Sequence, residues 1–194
     1  MSRRLLTGLL LGLFGSCAAV AVPADAQAHC LADGQKALQQ VADRQAIEYL
    51  RRQYAVATDL FGMGGAEQVQ RAQAIYQRIF TEDASIRVII DGQVTRQARG
   101  PDGWALEVQR ALQPYAGVQH LIGSQLVEFA CSEDAASPVS ATMSSYLQAW
   151  HDRPGEDVYL FIGTYHDRVR LVPGIGWQIH DMELQRVSTA RLKH

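Results

Sequence analysis

The sequence predicts an α+β fold in which helices come first and cover one face of a bent, mostly antiparallel sheet. Apolar residues at helical spacing fill the first part of the chain beyond its leader. Four long segments of alternating character fill the second, separated by "EDAASP", "DRPGED" and "PGIG". Helices followed by a run of strands argue for helices segregated to one side of an antiparallel sheet. Long strands under a helical layer leave a concave apolar pocket, the first place to look for function.

The first helix is expected in "LADGQKALQQVADRQAIEYLRRQYAVATDLFG", with a break near Asp43. Asp43 ahead of Ala46 and Ile47 has the character of an N-cap. Ile47, Leu50, Tyr54, Ala57 and Phe61 form a stripe facing the core, and Gly62, Gly64 and Gly65 end the helix. "AEQVQRAQAIYQRIF" is a second amphipathic helix, with Val69, Ala72, Ile75, Tyr76 and Ile79 on its apolar face. "SIRVIIDGQV" predicts a hairpin turning at Asp91-Gly92. "GPDGWALEVQRALQPY" is a third helix ending at Pro114, and "QHLIGSQLVEFA", "SATMSSYLQAWHD", "DVYLFIGTYHDRVRLV" and "GWQIHDMELQRVS" are strands.

The 194 residues are 47% hydrophobic and 20% charged, with a net charge of −2 and no Lys/Arg block. That composition suits one domain with its own core and gives no sign of nucleic acid or anionic membrane as a partner. The start differs. "MSRRLL", the apolar run that follows and the small residues Ala26 and Ala28 have the form of a secretory signal over residues 1–28. A retained membrane anchor is the alternative; "SRRLL" also has twin-arginine character, and "LFGSC" weak lipobox character ending at Cys17. Residues 29–42 are then an N-terminal tail or helix, and 43–190 the domain, in the periplasm or outside the cell.

Cleavage after Ala28 leaves two of the three cysteines, Cys30 and Cys131. In an oxidising compartment they form a disulfide that staples the tail, worth about 4–5 kcal/mol by chain entropy, or they remain unrelated thiols. There is no CxxC and no HExxH, so a metal site has no support in the sequence.

One position stands out chemically. Asp59 lies in "YAVATDLF", about 140° from Tyr54 on an ideal helical wheel. That offset favours a solvated charge, yet Ala55, Val56, Ala57, Leu60 and Phe61 surround it. A helix end apolar all round is buried, and a buried carboxylate needs a partner. His120, at the head of "HLIGSQLVEF", is the best candidate. A carboxylate accepting from one imidazole nitrogen leaves the other as a base. A strand-end histidine that is merely packed or solvated is the plain alternative.

The order and spacing of "QAIEYLRRQYAVATD", "RIFTEDASI", "GPDGW", "HLIGSQLVEF", "GTYHDRVRL" and "GWQIHDMEL" resemble the SnoaL-like branch of the NTF2-like superfamily over roughly residues 40–188. That branch includes scytalone dehydratase, bile-acid 7α-dehydratase and hexachlorocyclohexane dehydrochlorinase. The resemblance implies an NTF2-like cone, with N-terminal helices packed on a strongly curved sheet that encloses a pocket. It implies a catalytic pair of His120 and Asp59, with Tyr54 in the position of the tyrosine that the bile-acid dehydratase uses. Family members often place a cation on the strand of "YHDRVR", a place that Arg168 or Arg170 could fill, and Arg168 is taken as the binding candidate.

Tyr115, just before His120, and Tyr165, on the apolar face of its strand, are further substrate-binding candidates. Trp150 and Trp177 are expected in the core, and His166 and His180 at the surface. The reading is a cofactor-independent lyase of dehydratase type acting on a small apolar, aromatic or polycyclic substrate, in a homo-oligomer (dimer or trimer). Isomerisation or deformylation on the same pair are rivals, as is a non-catalytic ligand-binding or assembly module.

Overall fold

The first helix does not break at Asp43. In the computed structural model, which describes residues 34–130 and 139–193, α1 runs without interruption over Gly34–Met63. Residues 1–28, expected to be a secretory signal, and Cys30 and Cys131 lie outside the described residues. Asp43 is buried in the middle of the helix, and its Oδ1 accepts from Trp177 Nε1 at 2.9 Å and Gln39 Nε2 at 3.1 Å. A carboxylate given partners by tertiary contacts has no need to cap a helix, and here long-range bonding overrides the local cap signal.

Gly64 and Gly65, with φ of 69° and 85°, turn the chain into α2 (Ala66–Ile79). The expected face of α2 packs inward, with Ala72, Tyr76 and Ile79 buried. Strand β1 (Phe80–Ile90) follows at once and pairs with β2 (Gln93–Arg99) through the Asp91-Gly92 turn. Both turn residues have positive φ, 52° and 75°, as a tight hairpin loop requires. Helix α3 (Gly100–Leu112) has its proline in the first turn, where no N–H is missed, and buries Trp104, Ala105, Val108 and Leu112.

Strands β3 (Gly117–Ala130), β4 (Ser140–Asp152), β5 (Val158–Val172) and β6 (Gly176–Leu192) complete one open, curled six-stranded sheet in the order β2-β1-β6-β5-β4-β3. Every neighbouring pair is antiparallel except β1 with β6. That parallel pair joins the first long strand to the last, with a helix and four strands between them as the crossover. The chain is therefore α+β, with helices on one face.

Two side chains lie away from the core and the pocket for which they were candidates. Trp150 is half-buried on the outer face of β4, because inward positions there run through Ala141, Met143, Ser145, Leu147, Ala149 and His151. Arg168 is likewise on the outer face of β5, 63% exposed and 3.8 Å from Asp181. Strand alternation puts its neighbours Asp167 and Val169 inside instead.

Candidate functional site

The last turns of α1 carry the polar end of the site. Tyr54 is buried and stacks on Tyr76 with ring centres 5.4 Å apart and planes 8° from parallel. Its hydroxyl accepts a hydrogen bond from Trp104 Nε1 at 3.2 Å. Thr58 Oγ1 bonds back to the Tyr54 carbonyl at 2.8 Å and sideways to the Tyr76 hydroxyl at 2.7 Å.

One residue further on, Asp59 meets His120. Asp59 Oδ1 lies 2.7 Å from His120 Nδ1 and accepts from the His120 backbone N–H at 3.0 Å. With Nδ1 turned to a carboxylate, the ring proton belongs on Nδ1 and the lone pair on Nε2. The His120 side chain is 8% exposed, but that of Asp59 is 21% exposed. Asp59 is thus half-buried rather than sunk in the core: its partner satisfies it at the pocket edge.

The approach of α1 to β3 depends on Gly62. A Cβ there would sit 2.0 Å from Val118 Cγ2. Gly62 is three residues beyond Asp59, and Val118 two before His120, so this bare contact sets the carboxylate's reach. Past His120 the strand is irregular: register shifts between Gly123 and Leu126, and Ser124 has φ of 46°. The bulge turns Val127 and Phe129 inward in place of even-numbered residues.

His120 and Tyr54 both line a cavity of about 240 Å³ between helices and sheet. Trp104, Val108 and Leu112 of α3 form one wall, and Leu147, Ala149, Phe161 and Tyr165 of the sheet form the other. Tyr115 lines it too. A Cβ on Gly163 would come within 2.9 Å of Leu184, Phe161 and the Gln185 carbonyl, so only glycine lets these groups close around the floor. Tyr54, Tyr115, Tyr165, His120 and Asp59 are therefore brought together, and Arg168 is not.

Two functional candidates escaped the sequence reading. His151 lines the cavity, is 8% exposed, and its Nδ1 has no hydrogen-bond partner. Its ring lies 5.9 Å from that of His120, edge to face, and 4.7 Å from that of Tyr115. Burial, and then the neighbouring His120, push its pKa down to about 4. The signal was the register of β4: His151 pairs with Val118 as Ala149 pairs with His120, so it shares their face.

The second is Arg51. Its guanidinium and the Asp167 carboxylate are both 0% exposed and bonded at 2.5 and 3.2 Å. Arg51 Cζ also lies 3.7 Å from the ring centre of Tyr165 and 4.5 Å from that of Tyr54, an arrangement favoured by the π-face charge. Burial raises the Asp167 carboxyl above its usual range, against the pull of Arg51. Burial also raises the Tyr165 hydroxyl well above the ordinary tyrosine value, so it stays protonated. Among the described residues, no three His, Cys, Asp or Glu side chains gather as a metal-ligand group.

Helices lying on a curled open sheet, with a pocket between them, define the NTF2-like, cystatin-like fold. The chain belongs to the SnoaL-like family: the family profile, a SnoaL-like domain, matches residues 39–183. A candidate scytalone dehydratase from Novosphingobium aromaticivorans is similar at 19% identity over 81% of this chain and 93% of that one, with a TM-score of 0.60. A type 2 hexachlorocyclohexane dehydrochlorinase shares 20% identity over 80% and 93%, TM-score 0.61. An NTF2-like protein with a cystatin-like fold, also from Novosphingobium aromaticivorans, shares 17% over 78% and 86%, TM-score 0.55. No curated protein sequence matches the chain significantly.

Proposed function

We propose that the protein is a cofactor-independent lyase of dehydratase type, with His120 as base and Asp59 as its orienting partner. Membership of the SnoaL-like family and the dehydratase and dehydrochlorinase neighbours support a lyase- or isomerase-type enzyme. The observation that carries the finer reading is the 2.7 Å contact between His120 Nδ1 and Asp59 Oδ1 at the wall of an apolar cavity.

In this reaction His120 Nε2 takes a proton from the carbon beside an electron-withdrawing group. The C–H electron pair becomes the new double bond, and the C–O bond to a hydroxyl one carbon away breaks. The hydroxyl leaves as water with the proton returned by the imidazolium, which Asp59 stabilises meanwhile. Tyr54 donates to the substrate oxygen on which negative charge develops. General-base catalysis of this kind contributes about 10²- to 10⁴-fold, and a dry pocket strengthens the tyrosine contact. His151, neutral near pH 7, supplies a hydrogen-bonding group rather than an acid. A cavity of about 240 Å³ suits a substrate of one or two rings.

The test begins with native mass spectrometry of the purified protein to identify a retained ligand. That compound is then incubated with enzyme in D₂O. Deuterium entering the carbon acid, lost in His120→Ala, is the expected result. A retained ligand that neither exchanges nor reacts would favour the binding-module reading.

Two further proposals accompany this one. The first is export with a mature N-terminus near His29, which intact-mass analysis of periplasmic or secreted protein tests; full-length mass would overturn it. The second is a homo-oligomer, dimer or trimer, supported by Leu126 and Tyr146, which are 56% and 60% exposed on the outer sheet face. Sedimentation analysis reads it, and a monomer at micromolar concentration would overturn it.

A further inference from the structure

Beside the apolar cavity lies a second, polar chamber of about 330 Å³, which shares Tyr115, His151 and Tyr159 with it. Its outer wall is the β4–β5 turn and the end of β6, which bring Arg153, Glu156, Asp157 and Arg191 together. Two buried nitrogens on its lining have no partner: Arg153 Nε and His151 Nδ1. His151 is more than nine-tenths buried, so its unmet nitrogen is an open demand for a polar group.

The guanidinium groups are held by a carboxylate already. Glu156 receives Arg153 Nη1 at 3.1 and 3.3 Å, and its Oε2 lies 3.9 Å from Arg191 Nη1. Glu156 sits at the end of a tight turn. Its N–H donates to the Arg153 carbonyl at 3.0 Å, and Gly155 has φ of 77°. Its side chain is 44% exposed and free to swing into water. An exposed pair of this type is weak. Arg153 also lies over the Tyr115 ring at 5.2 Å, which keeps its guanidinium at the junction of the two chambers.

We propose that this chamber is a carboxylate subsite, and that the substrate has an apolar ring system with a carboxylate on a short arm. The ring fills the cavity. The carboxylate displaces Glu156 from Arg153 and Arg191. With Glu156 turned out, the wall carries two cations against the single charge of Asp157. The inference rests on the reading of the neighbouring cavity as the place where the substrate's rings lie.

The probes are 2-naphthylacetate and 3-(2-naphthyl)propanoate, each compared with its neutral amide by titration calorimetry. The better acid is expected to bind at least ~10-fold tighter than its amide. Arg153→Met should cut that preference several-fold, with the acid losing more affinity than the amide. Glu156→Gln should widen it, because the internal competitor is gone, and this surface change threatens folding least. Equal binding of acid and amide to the wild type, or a preference that Glu156→Gln does not widen, would overturn the carboxylate subsite and leave the cavity reading intact. Failure of all four probes to bind would overturn the cavity reading, and this inference with it.

Discussion

Asp59 engages His120 twice, at ring Nδ1 (2.7 Å) and at the backbone N–H (3.0 Å). The second bond ties the carboxylate to the strand itself, so ring and carboxylate stay in register even if the imidazole turns. Asp59→Asn is therefore expected to keep the fold. Its amide offers Nδ1 a donor and moves the ring proton to Nε2, the tautomer unfit to act as a base. Turnover should fall about 10²- to 10⁴-fold. Imidazole ¹⁵N shifts report the tautomer directly, and an unchanged tautomer with unchanged rate would sink the orienting role.

Gly62 against Val118 offers a test of the helix–strand approach. Gly62→Ala places a methyl group 2.0 Å from Val118 Cγ2. Overpacking of this kind typically costs about 1–3 kcal/mol. Adding Val118→Ala should return much of that loss, a non-additivity that denaturant unfolding of the two singles and the double reads out. Additive effects would mean that the helix shifts freely and the contact does not set the distance.

The Arg51–Asp167 pair is wholly desolvated. Asp167→Asn or Arg51→Met alone leaves a buried group without its counter-charge and should cost about 3–5 kcal/mol. The double change Arg51→Met/Asp167→Leu should cost much less than the sum. Because Arg51 packs on the rings of Tyr54 and Tyr165, the double variant should still lose ring order, visible in near-UV circular dichroism. An unchanged spectrum would confine the pair to folding.

His151 makes stability depend on acid. Its pKa falls from the ordinary 6.5 to about 4 on folding, because burial penalises the charged ring. Between those values the unfolded chain binds a proton that the folded chain refuses. This contribution is complete above about pH 6.5 and is lost as pH falls towards 4, on the order of 3 kcal/mol in all. His151→Phe should flatten the difference in unfolding free energy between pH 7 and pH 4.5. An equal acid loss in that variant would assign the effect to other groups.

Ile47, Leu50, Tyr54, Ala57 and Phe61 declared α1 because a helical stripe is a local pattern, written at fixed spacing. Asp91-Gly92 declared the hairpin for the same reason: few residues tolerate two successive positive φ angles. The order of helices before strands was enough for the α+β class. Even the oddity of Asp59 was legible, since a carboxylate among apolar neighbours needs a partner wherever it folds. Its pairing with His120 was reached by family resemblance; spacing alone favoured a packed or solvated histidine.

Tertiary structure decided what depends on contacts far apart in the chain. Asp43 had the local form of a cap, but Trp177, 134 positions away, gave it a partner inside the helix. Helical spacing puts Arg51, not Arg52, beside the buried stripe of α1, but only the fold supplies Asp167, 116 positions on, as the partner that lets it be buried. Arg168 and Asp167 are adjacent, and strand alternation sends one to water and the other to the core. His151 joins the site only because β4 pairs with β3 in one particular register. The local chain states which elements form; which side chains meet across them is a matter of register and close approach, and no short stretch of sequence contains that.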